Sequence, residues 1–361
     1  MKAIKSVKNA LLVLFFMLPF LVLAGNVKNE ENSDEKDFDA SEMINHHIGD
    51  AHSFHIMDWN EHAIAMPLPI ILYTENGLVS FMSSEFHHDN SGEVIVEKNG
   101  QKFVSLHESI LQLKEGETTV MFNEEHHPNN TVRPLDFSIT KNVFSMMLSA
   151  IILILLFSAV GRSYKKNAGA PKGLAGFLEP LVTFVRDDIA IPNIGEKKYS
   201  KFMPYLLTVF FFIWINNLIG LVPFFPGSSN LTGNIVVTGV LALITFLITS
   251  FSGNKGYWSH ILAPPVPKAL YPIMIPIEII GMFTKPFALM IRLFANITAG
   301  HIIILSLVSL IFIFKTIAIA PVSMAFVLFM SLLELLVAAL QAYVFTLLSA
   351  LFIGQAVADH H

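Results

Sequence analysis

The chain has 361 residues, of which 53% are hydrophobic and 14% charged; it carries 31 Phe, no Cys and a net charge of −5. A soluble domain is nearer a quarter charged, so a water-soluble protein is excluded as the whole of this molecule. The lack of a basic face argues against nucleic acid as a partner, and the lack of cysteine removes disulfides and thiolate chemistry.

Residues 1–24 hold Lys2, Lys5 and Lys8, the apolar run ALLVLFFMLPFLVL and a small residue, Ala24, at the exit. This is the pattern of a signal peptide. An uncleaved membrane helix is the competing reading, disfavoured by the shortness of the run and by Pro19. Both deliver the next segment to the outside of the cytoplasmic membrane.

Residues 25–136 are acidic and carry ten of the 14 histidines. The stretch NEENSDEKDFDASE reads as a solvated leader. Beyond it, Asn76-Gly77 and Asn99-Gly100 each separate two apolar, β-prone runs, a strong hairpin signal. A small β-rich extracytoplasmic domain with at least two hairpins is expected. His46, His47, His52 and His55 are weak metal candidates, because imidazole is a common neutral ligand. Their spacing fits no closed site; loop histidines in an acidic domain are often merely solvated, and a proton-collecting surface is a further reading.

The membrane domain is expected over 137–361. Residues 142–160 form a first span, followed at once by Arg162, Lys165, Lys166 and Lys172, which places the cytoplasm after it. Residues 173–188 repeat apolar residues with helical period and end at Arg186 and Asp187, as expected of an amphipathic helix lying on the inner membrane surface. Between Lys201 and Lys255 there is no Asp, Glu, Lys or Arg, and spans are expected at 203–222 and 235–252. Two longer apolar stretches come next, 270–314 and 321–356, joined at Lys315 to Pro321. They exceed a perpendicular span and must tilt or kink. The fold expected is therefore an all-α polytopic membrane protein. It makes about five crossings and carries an interfacial helix, a long antiparallel terminal hairpin, a β-rich N-terminal domain outside and a cytoplasmic C-terminus.

Folding the last two stretches against each other brings their few polar residues level in pairs: Arg292 with Gln341, His301 with Glu334, and Glu278 with Gln355. By helical rise, the His301–Glu334 layer lies roughly 10–14 Å to one side of Arg292 and Glu278 roughly 20 Å to the other. Ala288, Ala295 and Ala299 share the face of Arg292, and small residues at that spacing invite a close partner helix. A charged side chain at mid-bilayer costs roughly 2.5–3.5 kcal/mol on insertion scales. Arg292 therefore either snorkels to the headgroups or meets a counter-charge. His301 and Glu334 either lock two helices or exchange protons, since imidazole titrates near neutrality.

RLFANITAGH (292–301) and LLELLVAALQAYVFTLLSALF (332–352) resemble the signature of subunit a of F-type ATP synthases, and FIWINNLIGLVPF (212–224) resembles an earlier helix of that family. The resemblance covers about 140–356. It implies that Arg292 is the stator arginine facing a ring of c subunits, each bearing one carboxylate. It implies further that Asn296, His301, Glu334 and Gln341 line the outer proton half-channel and that Glu278 lies on the cytoplasmic exit side. No ATP chemistry by this chain alone and no cofactor are implied; the partners implied are the c ring, the subunit b stalk, the remainder of the F1Fo complex and the lipid bilayer of the inner membrane. One departure stands out: some members carry Asp three residues after the Asn of the earlier helix, where this chain reads Asn217-Leu218-Ile219-Gly220.

Two rival functions remain. An ion-coupled secondary transporter predicts repeat symmetry between the halves of the membrane domain, which is not seen. A non-catalytic assembly or metal-sensing protein would make the His-rich domain the working part.

Overall fold

The computed structural model describes residues 40–59, 62–123, 127–166, 173–222, 225, 227, 229–316 and 319–358. The expected signal peptide and the acidic leader up to Asp39 lie outside them. The chain forms two compact units, one built mainly on His52–Ser138 and the other on Ile139–Val222 and Pro226–His361 together with Met43–Ala51. A short helix, α1 (Ala40–Ile48), precedes the first strand.

The first unit is β-structured. β1 (Ser53–Trp59) pairs with β2 (His62–Pro67); β3 (Pro69–Thr74), β4 (Gly77–Met82) and β9 (Leu135–Asp136) form a sheet in the order 4-3-9. β5 (Ser91–Lys98), β6 (Gln101–Leu106), β7 (Ser109–Leu113) and β8 (Thr131–Val132) form another in chain order. Alternation fixes register: Ile70 faces Phe81 and Leu72 faces Val79, all buried, and these join Val96, Phe103 and Ile110 in one core. Both hairpins occur: the first turns at Glu75-Asn76, with Gly77 already paired to Thr74, and in the second Asn99 and Gly100 both take positive φ, as a type I′ turn requires.

A further hairpin, β6–β7, turns at His107-Glu108 with positive φ at both residues and no glycine. Asn90 holds it: its carbonyl accepts from the His107 N–H at 3.1 Å and its Oδ1 accepts from the Glu108 N–H at 2.7 Å. A partner far back in the sequence supplies what glycine would otherwise give, so no local signal marks this turn. His52 and Asp136, near the two ends of the unit, pair at 3.3 Å. Burial raises the Asp136 carboxyl, but hydrogen bonds from His52 and Ser138 outweigh it and hold the group at about 2.

The second unit is helical. α2 (Lys141–Lys166), α5 (Tyr199–Gly220), α6 (Ile235–Ser252), α8 (Tyr271–Ile313) and α9 (Ala320–Val357) are long and apolar enough to cross a membrane. Asp50 caps α2 from far upstream, accepting from the Asn142 N–H at 3.1 Å and from the Thr140 hydroxyl at 2.9 Å. At the expected interfacial segment the helix runs on past 188. α3 (Leu174–Phe184) continues through a π turn, Val185–Ala190, into α4 (Ile191–Ile194). Its buried face, Ala175, Leu178, Val185 and Ile189, packs on protein, while Phe177 is 68% exposed. Between the expected spans at 235–252 and 270–314 lies a short helix, α7 (Lys255–Leu262), which eight residues with no sustained apolar period did not signal.

With 43 and 38 residues, α8 and α9 are about 65 and 57 Å long against a hydrocarbon core of about 30 Å. Pro276 and Pro286 lie inside α8, which continues through both as a single helix. The far end of α9 is bound by side chains distant in sequence. The Val357 carbonyl accepts from Lys198 Nζ at 2.7 Å and from Asn254 Nδ2 at 2.9 Å, and the Ala356 carbonyl accepts from the Asn254 N–H at 2.9 Å. These satisfy carbonyls that a helix C-terminus leaves open. One turn earlier, Gly354 lies against the backbone of Asn193, so closely that a Cβ would overlap the Asn193 carbonyl. Backbone cannot yield as a side chain does, so Gly354→Ala is expected to separate α9 from α4. The check is the detergent-solubilised protein, in which the variant's melting temperature should fall by several degrees; an unchanged melt would show that the helices part without cost.

Candidate functional site

α8 has two unlike faces. Leu289, Leu293 and Ile297, each four residues from the next, are 1–4% exposed and pack inward. On the other side Ala288, Arg292, Ala295, Asn296 and Ala299 are exposed. Arg292 thus projects from a strip of alanines that leaves its guanidinium uncrowded. Among the described residues it forms no ion pair and no hydrogen bond. The expected level with Gln341 is not a contact: Gln341 is 3% exposed, on α9, and no hydrogen bond joins the two.

His301 lies off the Arg292 face, turned towards α9. Its Nδ1 is 3.6 Å from Glu334 Oε1, the pairing expected from the hairpin. Glu334 is 5% exposed, and neither of its carboxyl oxygens has a hydrogen-bond partner among the described residues. Gly300 makes room for it, since a Cβ there would stand 2.8 Å from Oε1. The other side of the imidazole meets α5, where a Cβ on Gly220 would be 3.9 Å from His301 Nε2 and 3.0 Å from the Ser229 carbonyl. Gly220 is the position at which the sequence departs from the resembled pattern. His301 is therefore set between an acid on α9 and a bare backbone on α5. A carboxyl group that is buried and an imidazole that is about one-fifth exposed, at this separation, are suited to passing a proton between them.

The surroundings fix this geometry with polar ties. The Asn217 side chain donates to the Ala338 carbonyl at 3.1 Å and accepts from the Thr232 hydroxyl at 2.6 Å. Those bonds join α5, the turn before α6 and the stretch of α9 between Glu334 and Gln341.

Towards the start of α8 the expected third layer is different. Glu278 does not meet Gln355. Its Oε1 lies 3.9 Å from Nδ1 of His260 on α7, and Gln355 accepts from Lys285 Nζ at 2.9 Å. Lys285 is two turns further along α8 than Glu278. Long packed helices cross at an angle, so a register that holds at His301 and Glu334 does not persist to the far end.

Of the residues singled out from sequence, the structure brings His301 and Glu334 together, exposes Arg292 and Asn296 on one face, and leaves Gln341 and Glu278 apart from both. His260, Lys285 and Gly300 were missed. The first two are isolated polar residues beside or within the apolar stretches, and Gly300 carries only the weak signal of a glycine inside a helix. His52 is held by Asp136; the side chains of His46, His47 and His55 lie outside those described. Among the described residues no group of three or more His, Asp or Glu is placed to hold a metal ion.

Comparison with known proteins gives two family matches. Residues 143–354 match the family described as ATP synthase A chain, and residues 43–137 match a domain of unknown function (DUF8433). The chain is 54% identical over 248 residues to the ATP synthase subunit a of Chloroherpeton thalassium, covering 66% of this chain and 73% of that one. It is 55% identical over 250 residues to ATP synthase subunit a 2 of Chlorobaculum tepidum, covering 66% and 70%. Against the ATP synthase subunit a of an Anaeromyxobacter species it is 50% identical over 237 residues, covering 63% and 56%.

Proposed function

The chain belongs to the ATP synthase A chain family, a multi-pass membrane subunit on the proton path of the complex, and from that premise we propose how its residues divide the work. The observation that carries the proposal is Arg292: a permanent cation midway along an apolar helix, on an exposed strip of alanines, with no counter-charge among the described residues. A charge in that setting is costly, so its partner comes from outside the chain. The rotor ring of c subunits, with one carboxylate per subunit, supplies it.

In this reading two aqueous half-paths end at Arg292 without meeting. Protons enter from the outside past Glu334 and His301, with Asn296 and Gln341 along the same route. One reaches a ring carboxylate, neutralises it and releases it from Arg292, and the ring carries the neutral acid round through lipid. On the inner side the acid gives up its proton towards Glu278, and the carboxylate returns to the guanidinium. Arg292 cannot itself release a proton near neutral pH, so it separates the half-paths without conducting. Each charge crossing 100 mV releases about 2.3 kcal/mol, which is the work available to rotation.

The β-rich unit lies outside the inner membrane and the C-terminus in the cytoplasm, in line with the basic residues that follow α2. Residues 1–24 direct that topology, and the subunit b stalk holds the chain against the ring. Affinity purification through a C-terminal tag tests the assignment: the chain should bring down a c ring, subunit b and a water-soluble ATPase head. Purification of the chain alone from gently solubilised membranes would overturn it.

A further inference from the structure

The proton path through Arg292 leaves one cation on α8 unused. Lys285 stands seven residues from both Glu278 and Arg292. Residues seven apart are nearly in line on a helix, drifting by only about 20°, so Glu278, Lys285 and Arg292 form one stripe, acid, base, base. A lysine on an apolar helix ordinarily reaches for the headgroups. This one turns to the neighbouring helix instead: Nζ donates to Gln355 Oε1 at 2.9 Å and lies 5.6 Å from the centre of the Phe352 ring, both on α9. It also borders a cavity of about 20 Å³ with Thr245, Thr249, Tyr257 and Phe352, enough for one water molecule. Thr245 continues the polar lining inward, through 2.6 Å to the Tyr205 hydroxyl and 3.4 Å to Ser349.

We propose that Lys285 is a positioning cation of the inner half-path, fixed by Gln355 and Phe352, and that it promotes release of the proton from the ring carboxylic acid towards Glu278 and His260. The inference rests on the assignment of Arg292 to the ring. In the step concerned, the O–H bond of the ring acid breaks, its oxygen keeps the electron pair, water of the half-path takes the proton, and the Glu278 carboxylate accepts it from water. His260, 3.9 Å from Glu278 and half exposed, passes it to the cytoplasm. A nearby cation favours the carboxylate over the acid. Lys285 is about 11 Å along the helix from Arg292, and at an effective dielectric of about 20 this displaces the release equilibrium by about one pH unit. Among the described residues, the ionisable groups around Lys285 are Glu278 and Arg292 on α8, Tyr257 and His260 on α7 and, beyond Thr245, Tyr205 on α5; α6 carries none, and α9 presents Gln355 and Phe352 at this level.

The test uses the intact complex in vesicles, with the outer pH and the membrane potential fixed and the inner pH varied. Lys285→Gln and Lys285→Met should move the inner-pH midpoint of ATP synthesis up by about one unit and slow synthesis several-fold at inner pH 7. The outer-pH dependence should stay where it was. Lys285→Arg should keep the original midpoint, and Gln355→Ala, which loosens the cation without removing it, should move it part of the way. An unchanged midpoint in the neutral variants, or an equal shift in Lys285→Arg, overturns the proposal. Should neither neutral variant assemble, Gln355→Ala decides, and an unchanged midpoint there overturns it. Arg292→Ala is run in parallel: if that variant synthesises ATP normally, the underlying assignment has failed rather than the role of Lys285.

Discussion

Arg292→Ala is expected to reduce proton-driven ATP synthesis to background while the complex still assembles. The side chain is exposed and forms no ion pair or hydrogen bond among the described residues, so its removal leaves the packing of Leu289, Leu293 and Ile297 intact. What disappears, in the mechanism proposed above, is the fixed charge that favours the ionised ring carboxylate and separates the two half-paths. Vesicles stripped of the ATPase head should then leak protons faster than wild type. Arg292→Lys retains a charge but not the planar fork that addresses a carboxylate through two donors, and should fall between the two. Synthesis and leak are measured in the same vesicle preparation, with subunit content checked by gel. Wild-type rates in the alanine variant would remove Arg292 from the mechanism.

Glu334→Ala should give the second large effect. Loss of a group that relays protons typically costs a hundredfold or more where that transfer limits the rate; here a fall of at least about tenfold in synthesis is expected, because water can take over part of the route. Glu334→Asp keeps the acid one methylene further from His301 and should stay within about threefold of wild type. If Glu334 served only to lock α8 to α9, the order would change: alanine would be tolerated in activity, and both variants would differ mainly in melting temperature. Raising outer proton concentration should partly restore Glu334→Ala and leave Arg292→Ala inactive. That contrast separates a defect in proton supply from the loss of the central charge.

Much of this was legible in the sequence, for physical reasons that differ from residue to residue. Arg292 was conspicuous because charge is scarce in an apolar helix, and the exposed alanines around it follow from simple helical spacing. The His301–Glu334 pair could be read because two antiparallel helices stay in register close to their turn. The same reasoning failed for Glu278 and Gln355, since crossing helices lose register with distance; His260 then lies nearer Glu278, from a short helix that no periodicity announces. Gly300 and Gly220 were illegible as site residues. What matters in each is the atom missing from the side chain, and its value depends on what a distant element places opposite. In the β-rich unit the Asn-Gly turns declared themselves locally, whereas His107-Glu108 depends on Asn90.

The clasp at the end of α9 bears on the order of events during synthesis. Lys198 and Asn254 emerge from the ribosome long before the Val357 and Ala356 carbonyls they bind. Those bonds form only after α9 has been translated and inserted, once Gly354 has settled on Asn193. Until then α9, which carries Glu334 and Gln341, is held by its packing and by ties along its length, such as Asn217 to the Ala338 carbonyl and Lys285 to Gln355. These bonds join residues 102 or more positions apart, so they are among the last the helical unit can form, and a chain whose final helix is incomplete lacks them.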